Sequence, residues 1–282
     1  MASYYYELKR GHIGTDVRRL QNFLIDQGID LQFGADGDFG PATRSAVKEF
    51  QQTQGLPTNG VFASEEAAVA VGLGYRNTCF QEPIPRTPFE IQDALKFPKK
   101  PANLQRPTQR ISDELFGEFR FRYTPTPSSP QRIEILDGWV ADSIVTAPVS
   151  QLVNMVDRQS STPRLMTSGE IRCHRLAAPR IQALFAAWEA AGLSDRVLYY
   201  VGCFNPRLKR GTTNPSRSNL SNHSWGSAFD INSQENWIGR PDAVIGARGC
   251  LRELVRIANE EGFYWGGHFG NKDGMHFEIA EL

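Results

Sequence analysis

Residues 221–230 read SNHSWGSAFD and residues 273–278 read DGMHFE, and these two runs decide how the C-terminal part of the chain folds and what it holds. They place two histidines and two aspartates at short spacing. His223 and Asp230 lie on either side of Gly226, which lets the chain turn sharply because it has no Cβ. Beyond that turn the run through Ala228, Asp230 and Asn232 alternates like a strand, so Asp230 faces the space of His223 once the turn folds back. His276 sits in a second strand-like run, MHFEI, with Asp273 three residues ahead of it across Gly274. A catalytic zinc takes three protein ligands and keeps one position open. His223, Asp230 and His276 supply three and leave Asp273 free as a base, the pattern of a metal-dependent hydrolase.

Scattered histidines are ordinarily surface or core residues, but this chain has only five, and two fall inside these runs with an aspartate close by. His12 and His174 have no such company. HExxH is absent and so is any CxxC pair, so the helical zinc-protease and zinc-finger readings do not apply. A nucleophile triad of Ser221, His223 and Asp230 fails on two grounds. No GxSxG elbow surrounds Ser221, and a serine two residues from its own base has no route to triad geometry.

The strings SNHSWGSAFDIN and WGGHFGNKDGMHFE resemble the zinc D-alanyl-D-alanine carboxypeptidase and L-alanyl-D-glutamate endopeptidase family. Its pattern is SxHxxGxAxD, then a Trp-Gly turn, then an acidic residue three before a histidine. The resemblance implies zinc held by His223, Asp230 and His276, with Asp273 as general base. It also implies an upstream arginine that polarises the scissile carbonyl. The segment in that place, VGCFNPRLKRG, is longer than the family's GYR-type segment, so Arg207 is the best match and Arg210 its rival. Glu278 points the same way as His276 along the strand and is expected to orient that histidine, with Ser221 in a supporting part. His268 is read as a rim residue, and Trp225, Tyr264, Trp265 and Phe277 as candidates for the pocket wall.

Composition narrows the remaining choices. Thirty-one basic residues balance thirty-one acidic ones, so nothing points to nucleic acid or anionic lipid as a partner. A hydrophobic content of 40% is enough for packed cores, and no apolar run approaches the length needed to span a bilayer. The first residues, MASYYYELKRGH, lack the apolar stretch of a signal peptide. Cys79, Cys173, Cys203 and Cys250 are widely spaced and expected to be reduced. A monomer without membrane insertion is expected.

Toward the N-terminus three helical periods are punctuated by glycine. Val17, Leu20 and Leu24 follow Thr15 and Asp16, which are expected to cap the first turn, and Gly28 ends the run. Thr43, Ala46, Val47 and Phe50 repeat the pattern after Gly40 and Pro41, and a third piece runs from Ser64 to Gly72. GHIGTDVRRLQNFLIDQGI and DGDFGPATRSAVKEFQQTQGLPTNGVF resemble the peptidoglycan-binding domain of cell-wall hydrolases. The resemblance implies binding to bacterial peptidoglycan. Most of these residues individually read as turn and core residues, with a shallow groove near Asp36, Asp38 and Thr43 as one place for the contact.

Pro83, Pro85, Pro88, Pro98, Pro101 and Pro107 crowd the stretch that follows, which is expected to form a semi-rigid tether. Downstream, FRFRY and RIEIL read as strands, 178–191 as a helix, VLYYVG as a strand leading to Arg207, 248–261 as a helix and MHFEIA as a strand. The expected organisation is a small all-α three-helix domain over 1–74, a Pro-rich linker over 75–110 and an α+β zinc peptidase domain over 111–282. The resemblance implies cleavage of stem peptides, most simply at the L-Ala–D-Glu bond as in phage endolysins. D-alanyl-D-alanine cleavage is the enzymatic alternative, and a wall-binding protein with an inactive hydrolase domain the non-enzymatic one. Without an export signal the chain is expected to reach the wall through a phage pore or a secretion system.

Overall fold

Helices α1 (Thr15–Asp26), α2 (Pro41–Thr53) and α3 (Ser64–Gly72) occupy the N-terminal segment of the structure, a computed structural model that describes residues 7–76, 97–159 and 162–282. Pro41 starts α2 where its missing N–H costs nothing. The apolar faces of the helices close a core of Val17, Leu20, Leu24, Val47 and Phe50 with Leu8, Phe39, Phe62 and Tyr75.

Two buried glutamines repeat one device. Gln21 of α1 accepts from the Gly37 N–H at 2.7 Å, and its amide nitrogen lies 2.7 Å from the Asp36 carboxylate and 2.9 Å from Thr43 Oγ1. Gln51 of α2 accepts from the Gly60 N–H, and its nitrogen faces Asn59, the Val61 carbonyl and Glu66, each at 2.8 Å. The turn at the expected groove is tied inward by Gln21: Thr43 is buried and Asp36 and Asp38 are half-buried, and a Cβ at Gly37 would stand 2.5 Å from Val156 of the C-terminal part.

The C-terminal part opens with α4 (Gln109–Phe116), capped by Thr108, and the hairpin β1 (Phe121–Tyr123) and β2 (Ile133–Ile135). Helix α5 (Trp139–Ser143) leads into β3 (Ile144–Pro148), followed by β4 (Val156–Asp157), β5 (Arg164–Leu165) and β6 (Glu170–His174). Helix α6 (Ala177–Ala190), β7 (Tyr199–Gly202), β8 (Ala228–Ile231), α7 (Val255–Glu260), β9 (Phe263–Trp265) and β10 (His276–Ile279) complete it. A mixed six-stranded sheet runs β5-β4-β7-β8-β10-β9, with β4 and β7 parallel and the other pairs antiparallel; β3 pairs with β6 alone. Ile181, Leu184, Phe185 and Trp188 of α6 are buried against this sheet's residues in one core. The helix expected over 248–261 is shorter, one 3₁₀ turn and α7. Gly249 has φ +73°, a conformation that interrupts a helix, and Arg248 is drawn away to Asp16. Among the described residues no helix is long and apolar enough to cross a membrane.

The N-terminal helices dock directly on this sheet. The Thr15 N–H, an orphan donor in the first turn of α1, reaches the Leu198 carbonyl at 2.9 Å. Ile13 packs with Val156, Leu198 and Tyr199. Arg248 forks onto the Asp16 carboxylate at 2.7 and 2.9 Å, donates to the Ile13 carbonyl at 2.6 Å and pairs with Glu235. Gly14 stands at the N-cap with no side-chain cap, while Asp16 accepts from the first-turn Val17 N–H at 2.9 Å and also takes the arginine's fork.

The expected tether is also packed along its described part. Phe97 lies 5.5 Å from the Trp265 ring, the Pro98 carbonyl accepts from His268 at 2.8 Å, and Leu104 is buried. Pro83, Pro85 and Pro88 lie outside the described residues, as does Cys79.

Arg248→Met takes the shared guanidinium from the buried Asp16 and the half-buried Glu235, whereas Asp16→Asn leaves Arg248 its Glu235 partner. The first variant is expected to lose about 3–5 kcal/mol of unfolding free energy and the second about 1.5–3 kcal/mol. Denaturant titration checks the order, and equal losses would refute it.

Candidate metal centre

His276 of β10 stands opposite Asp230 of β8 in the antiparallel register, so both side chains emerge on the same face of the sheet. Their neighbours Phe277 and Phe229 pair on the other face, stacked at 5.7 Å against Trp188 of α6. His223 arrives from a short 3₁₀ helix, Asn222–Trp225. Gly226 ends that helix at φ +66°, and a Cβ there would stand 2.7 Å from the His174 backbone nitrogen. The turn therefore demands glycine, and it returns the chain into β8.

The three ligand atoms converge. Asp230 Oδ1 is 3.2 Å from His223 Nε2 and 2.9 Å from His276 Nδ1, and the two imidazole nitrogens are 3.2 Å apart. All three residues are buried. Each histidine is held from behind. His223 Nδ1 lies 2.7 Å from the Cys203 carbonyl, which accepts only a proton donor and so leaves Nε2 as a lone pair facing Asp230. His276 Nε2 lies 2.9 Å from Glu278, which leaves Nδ1 facing inward. Glu278 is itself held by Asn222 at 2.7 Å and Arg106 at 3.2 Å.

These contacts polarise the cluster. Burial holds His223 below the ordinary histidine range. Burial also pulls on His276, but the hydrogen bonds it donates to Asp230 and Glu278 outweigh it and push this histidine up to about 10. Asp230 is held well below the carboxylate range: burial opposes this, and its contacts with His223 and His276 prevail.

Asp273, Arg207 and Arg210 share the surrounding cleft. One cavity of about 490 Å³ is lined by His223, Asp230, Arg207, Arg210, Phe204 and Trp237, and a second of about 200 Å³ by His276, Asp273, Glu278, Phe269 and the same two arginines. Asp273 is brought up by the Trp-Gly turn: its N–H donates to the Gly266 carbonyl at 3.0 Å, and a Cβ at Gly266 would meet the Asp273 carbonyl at 2.4 Å. Asp273 Oδ1 is buried with no partner among the described residues. Arg207 is half-buried and its Nε is likewise unpartnered, whereas Arg210 is exposed and lies 4.9 Å over the Trp237 ring. The Arg207 backbone is clamped between the Arg132 bridge and the Leu208–Leu220 bridge.

Trp225, Trp265 and Phe277 are core residues with no share in the cleft lining, and Tyr264 is buried beside them; the aromatic wall is Phe204, Trp237 and Phe269. His268 is no rim residue but lies buried between Phe97, Tyr264 and Trp265. Arg106, Asn222 and the Cys203 carbonyl were not expected at the site. Arg106 and Asn222 are single polar residues without local pattern, and a backbone carbonyl leaves no sequence signal at all. The Cys203 thiol is buried, its pKa pushed well up by burial.

The arrangement is that of a His/Asp/His centre able to hold one divalent cation at the edge of a substrate-sized cleft. Residues 214–279 match the family model described as D-alanyl-D-alanine carboxypeptidase, and residues 13–65 match that of a peptidoglycan binding domain. The chain thus joins one segment that matches a peptidoglycan binding domain model to one that matches a D-alanyl-D-alanine carboxypeptidase model. A zinc D-Ala-D-Ala carboxypeptidase of Streptomyces albus G is 42% identical over 55 residues, 19% of this chain and 22% of that protein. An N-acetylmuramoyl-L-alanine amidase of Bacillus licheniformis is 40% identical over 68 residues, 23% of this chain and 19% of that one. A type VI secretion system spike protein of Vibrio cholerae is 29% identical over 108 residues, 32% of this chain and 11% of that protein. The chain therefore spans between 11% and 22% of the length of these relatives.

Burial, followed by the negative charge of Asp230, raises the Asp273 pKa from 3.8 to about 6. A group raised in this way contributes stability below its ordinary pKa and loses it as pH rises through the folded value. Asp273→Asn abolishes that loss. In chelator-treated protein the variant is expected to be more stable than wild type by about 2–3 kcal/mol near pH 7.5, with the difference vanishing near pH 4. Melts across this range check the sign, and a pH-independent difference would refute it.

Proposed function

We propose that the chain is a zinc-dependent peptidoglycan endopeptidase that hydrolyses stem peptides at the L-Ala–D-Glu bond. The carrying observation is the convergence of His223 Nε2, Asp230 Oδ1 and His276 Nδ1 in a chain with a peptidoglycan-binding segment. Two imidazoles and one carboxylate make a donor set suited to catalytic zinc, and the outward nitrogens anchored on the Cys203 carbonyl and Glu278 suit it further.

Zinc held by these residues supplies Lewis acidity and acidifies water. Asp273 takes a proton from the attacking water and returns it to the departing amine, and its raised proton affinity suits both steps. Arg207 presents a fixed planar charge to the carbonyl oxygen as negative charge develops there. Arg210 is its rival, but cation–π contact with Trp237 already engages it. The chain acts as a monomer on the cell wall, reached by phage-type release or through a secretion apparatus such as the one in the Vibrio cholerae relative's name.

D-alanyl-D-alanine cleavage is the second reading, favoured by the description of the family matched over 214–279 and by the name of the Streptomyces relative. The full donor set argues against a wall-binding protein that has lost activity. Digestion of purified peptidoglycan with and without chelator, read by mass spectrometry of new termini, separates these readings. A new D-Glu amino terminus that chelator abolishes is the expected result; released D-Ala or a freed cross-link amine would overturn the bond assignment.

Two variants and one titration test the centre. Asp273→Ala is expected to keep zinc and lose about 10²- to 10⁴-fold in turnover, and wild-type activity would remove Asp273 from its role. Because the metal-free cluster holds a proton on His276, zinc uptake near neutral pH is expected to release about one proton per site. Calorimetry in buffers of different ionisation enthalpy measures that number, and zero release would contradict it.

A further inference from the structure

The segment expected as a tether ends inside the cleft. Arg106, from the run just before α4, lines the cavity of about 200 Å³ that also holds Asp273, His276 and Glu278. Its guanidinium lies 3.6 Å from the Phe269 ring centroid, and its Nε donates to Glu278 Oε1 at 3.2 Å. Those two contacts orient the group, whose side chain is otherwise exposed. Its Nη atoms make no hydrogen bond among the described residues, so two parallel donors are left facing the cavity, the geometry that receives a carboxylate.

Lys209 lines the same cavity, its Nζ donating to the Ser218 carbonyl at 2.8 Å. Burial lowers its pKa and the positive charge of Arg106 lowers it further, so the two cations are near neighbours. With Arg207 and Arg210, four cationic side chains face two carboxylates, Asp273 and Glu278, around one small cavity. Glu278 is already engaged by His276, Asn222 and Arg106. Like charges gathered in a partly buried site oppose one another, and an entering anion relieves that repulsion.

We propose that Arg106 and Lys209 form an anion subsite for a substrate carboxylate beside the scissile bond, so that the Pro-rich segment contributes a specificity residue to the cleft. The proposal rests on the peptidase reading of the metal centre. The ligand class is a peptide with a free carboxylate next to the cleaved bond, distinguished from the same peptide with that group as a carboxamide.

The test uses the full chain, zinc-loaded, with a matched pair of stem peptides that differ only in carboxylate or carboxamide at that position. Wild type is expected to favour the acid about tenfold or more in kcat/KM, carried by KM. In the double variant Arg106→Gln, Lys209→Gln this ratio is expected to fall to within about twofold, with zinc content unchanged. Lys209→Gln alone, which leaves the Arg106–Glu278 contact intact, is expected to lower the ratio about threefold and keeps the test open if the Arg106 change impairs folding. A wild-type acid-to-amide ratio in both variants, or equal loss on both peptides together with loss of zinc, would show that Arg106 serves only to hold Glu278. Equal cleavage of both peptides by wild type would overturn the subsite while sparing the peptidase reading. Cleavage of neither would overturn both.

Discussion

The direct pairing of His276 with Asp230 across β10 and β8 is the constraint on which the rest of the centre depends. Side chains on a strand alternate between faces, so the register that lifts these two together sends Phe277 and Phe229 down onto Trp188. A slip of one residue in either strand would carry a ligand into the aromatic core and a phenylalanine into the cleft. The apolar layer under the sheet therefore holds His276 and Asp230 in place: it is the large burial on one face that makes the polar geometry on the other face the register that is kept.

Register alone leaves the imidazoles free to rotate, and the backbone and Glu278 remove that freedom. The Cys203 carbonyl can only accept, so it selects the His223 tautomer whose Nε2 is bare, and Glu278 accepts from His276 Nε2, which fixes that ring with Nδ1 turned inward. Both partners lie close by for stated reasons. Glu278 is two residues along the same strand face. Cys203 follows β7, which lies next to β8 in the sheet. Close approach of the turns that deliver His223 and Asp273 then requires bare backbone at Gly226 and Gly266. Burying this many charges in one place is costly, and the cost shows as an unpartnered Asp273 oxygen and Arg207 nitrogen.

What was legible in the sequence is what short-range period encodes. Alternation in AFDI and HFEI, the glycine at 226 and the spacing of Glu278 from His276 all follow from rules that act over a few residues, and His223, Asp230 and His276 lie together in the structure. The helices with Val17, Leu20, Leu24 and with Ile181, Leu184, Trp188 on one face were legible on the same basis. Contacts made across long separations were not. Asp16 and Arg248 are 232 positions apart, and neither carries a local mark of its partner. Phe277 was misplaced as a wall residue although strand alternation puts it opposite His276, whereas His268 required knowledge that Phe97 folds back over it. The proline-rich composition described the chain between Phe97 and Pro107 as stiff but said nothing about what it would lie against.

On the proposed function, docking changes the physical meaning of joining the two segments. A flexible tether acts through effective concentration and is indifferent to orientation. Here α1 is held by the Leu198 carbonyl at its first turn and by the Arg248 fork at Asp16. Arg248 also grips Glu235, in the loop after β8 that gives Ser233, Gln234 and Trp237 to the larger cavity. One guanidinium thus ties the first helix to the wall of the cleft. In such an arrangement a polymer bound to the N-terminal segment approaches the cleft only in orientations that the interface permits, and geometry rather than reach selects which part of the polymer meets His223, Asp230 and His276. Avidity is then gained only where both segments can engage the same polymer at once, and it is lost wherever the strand spacing does not match.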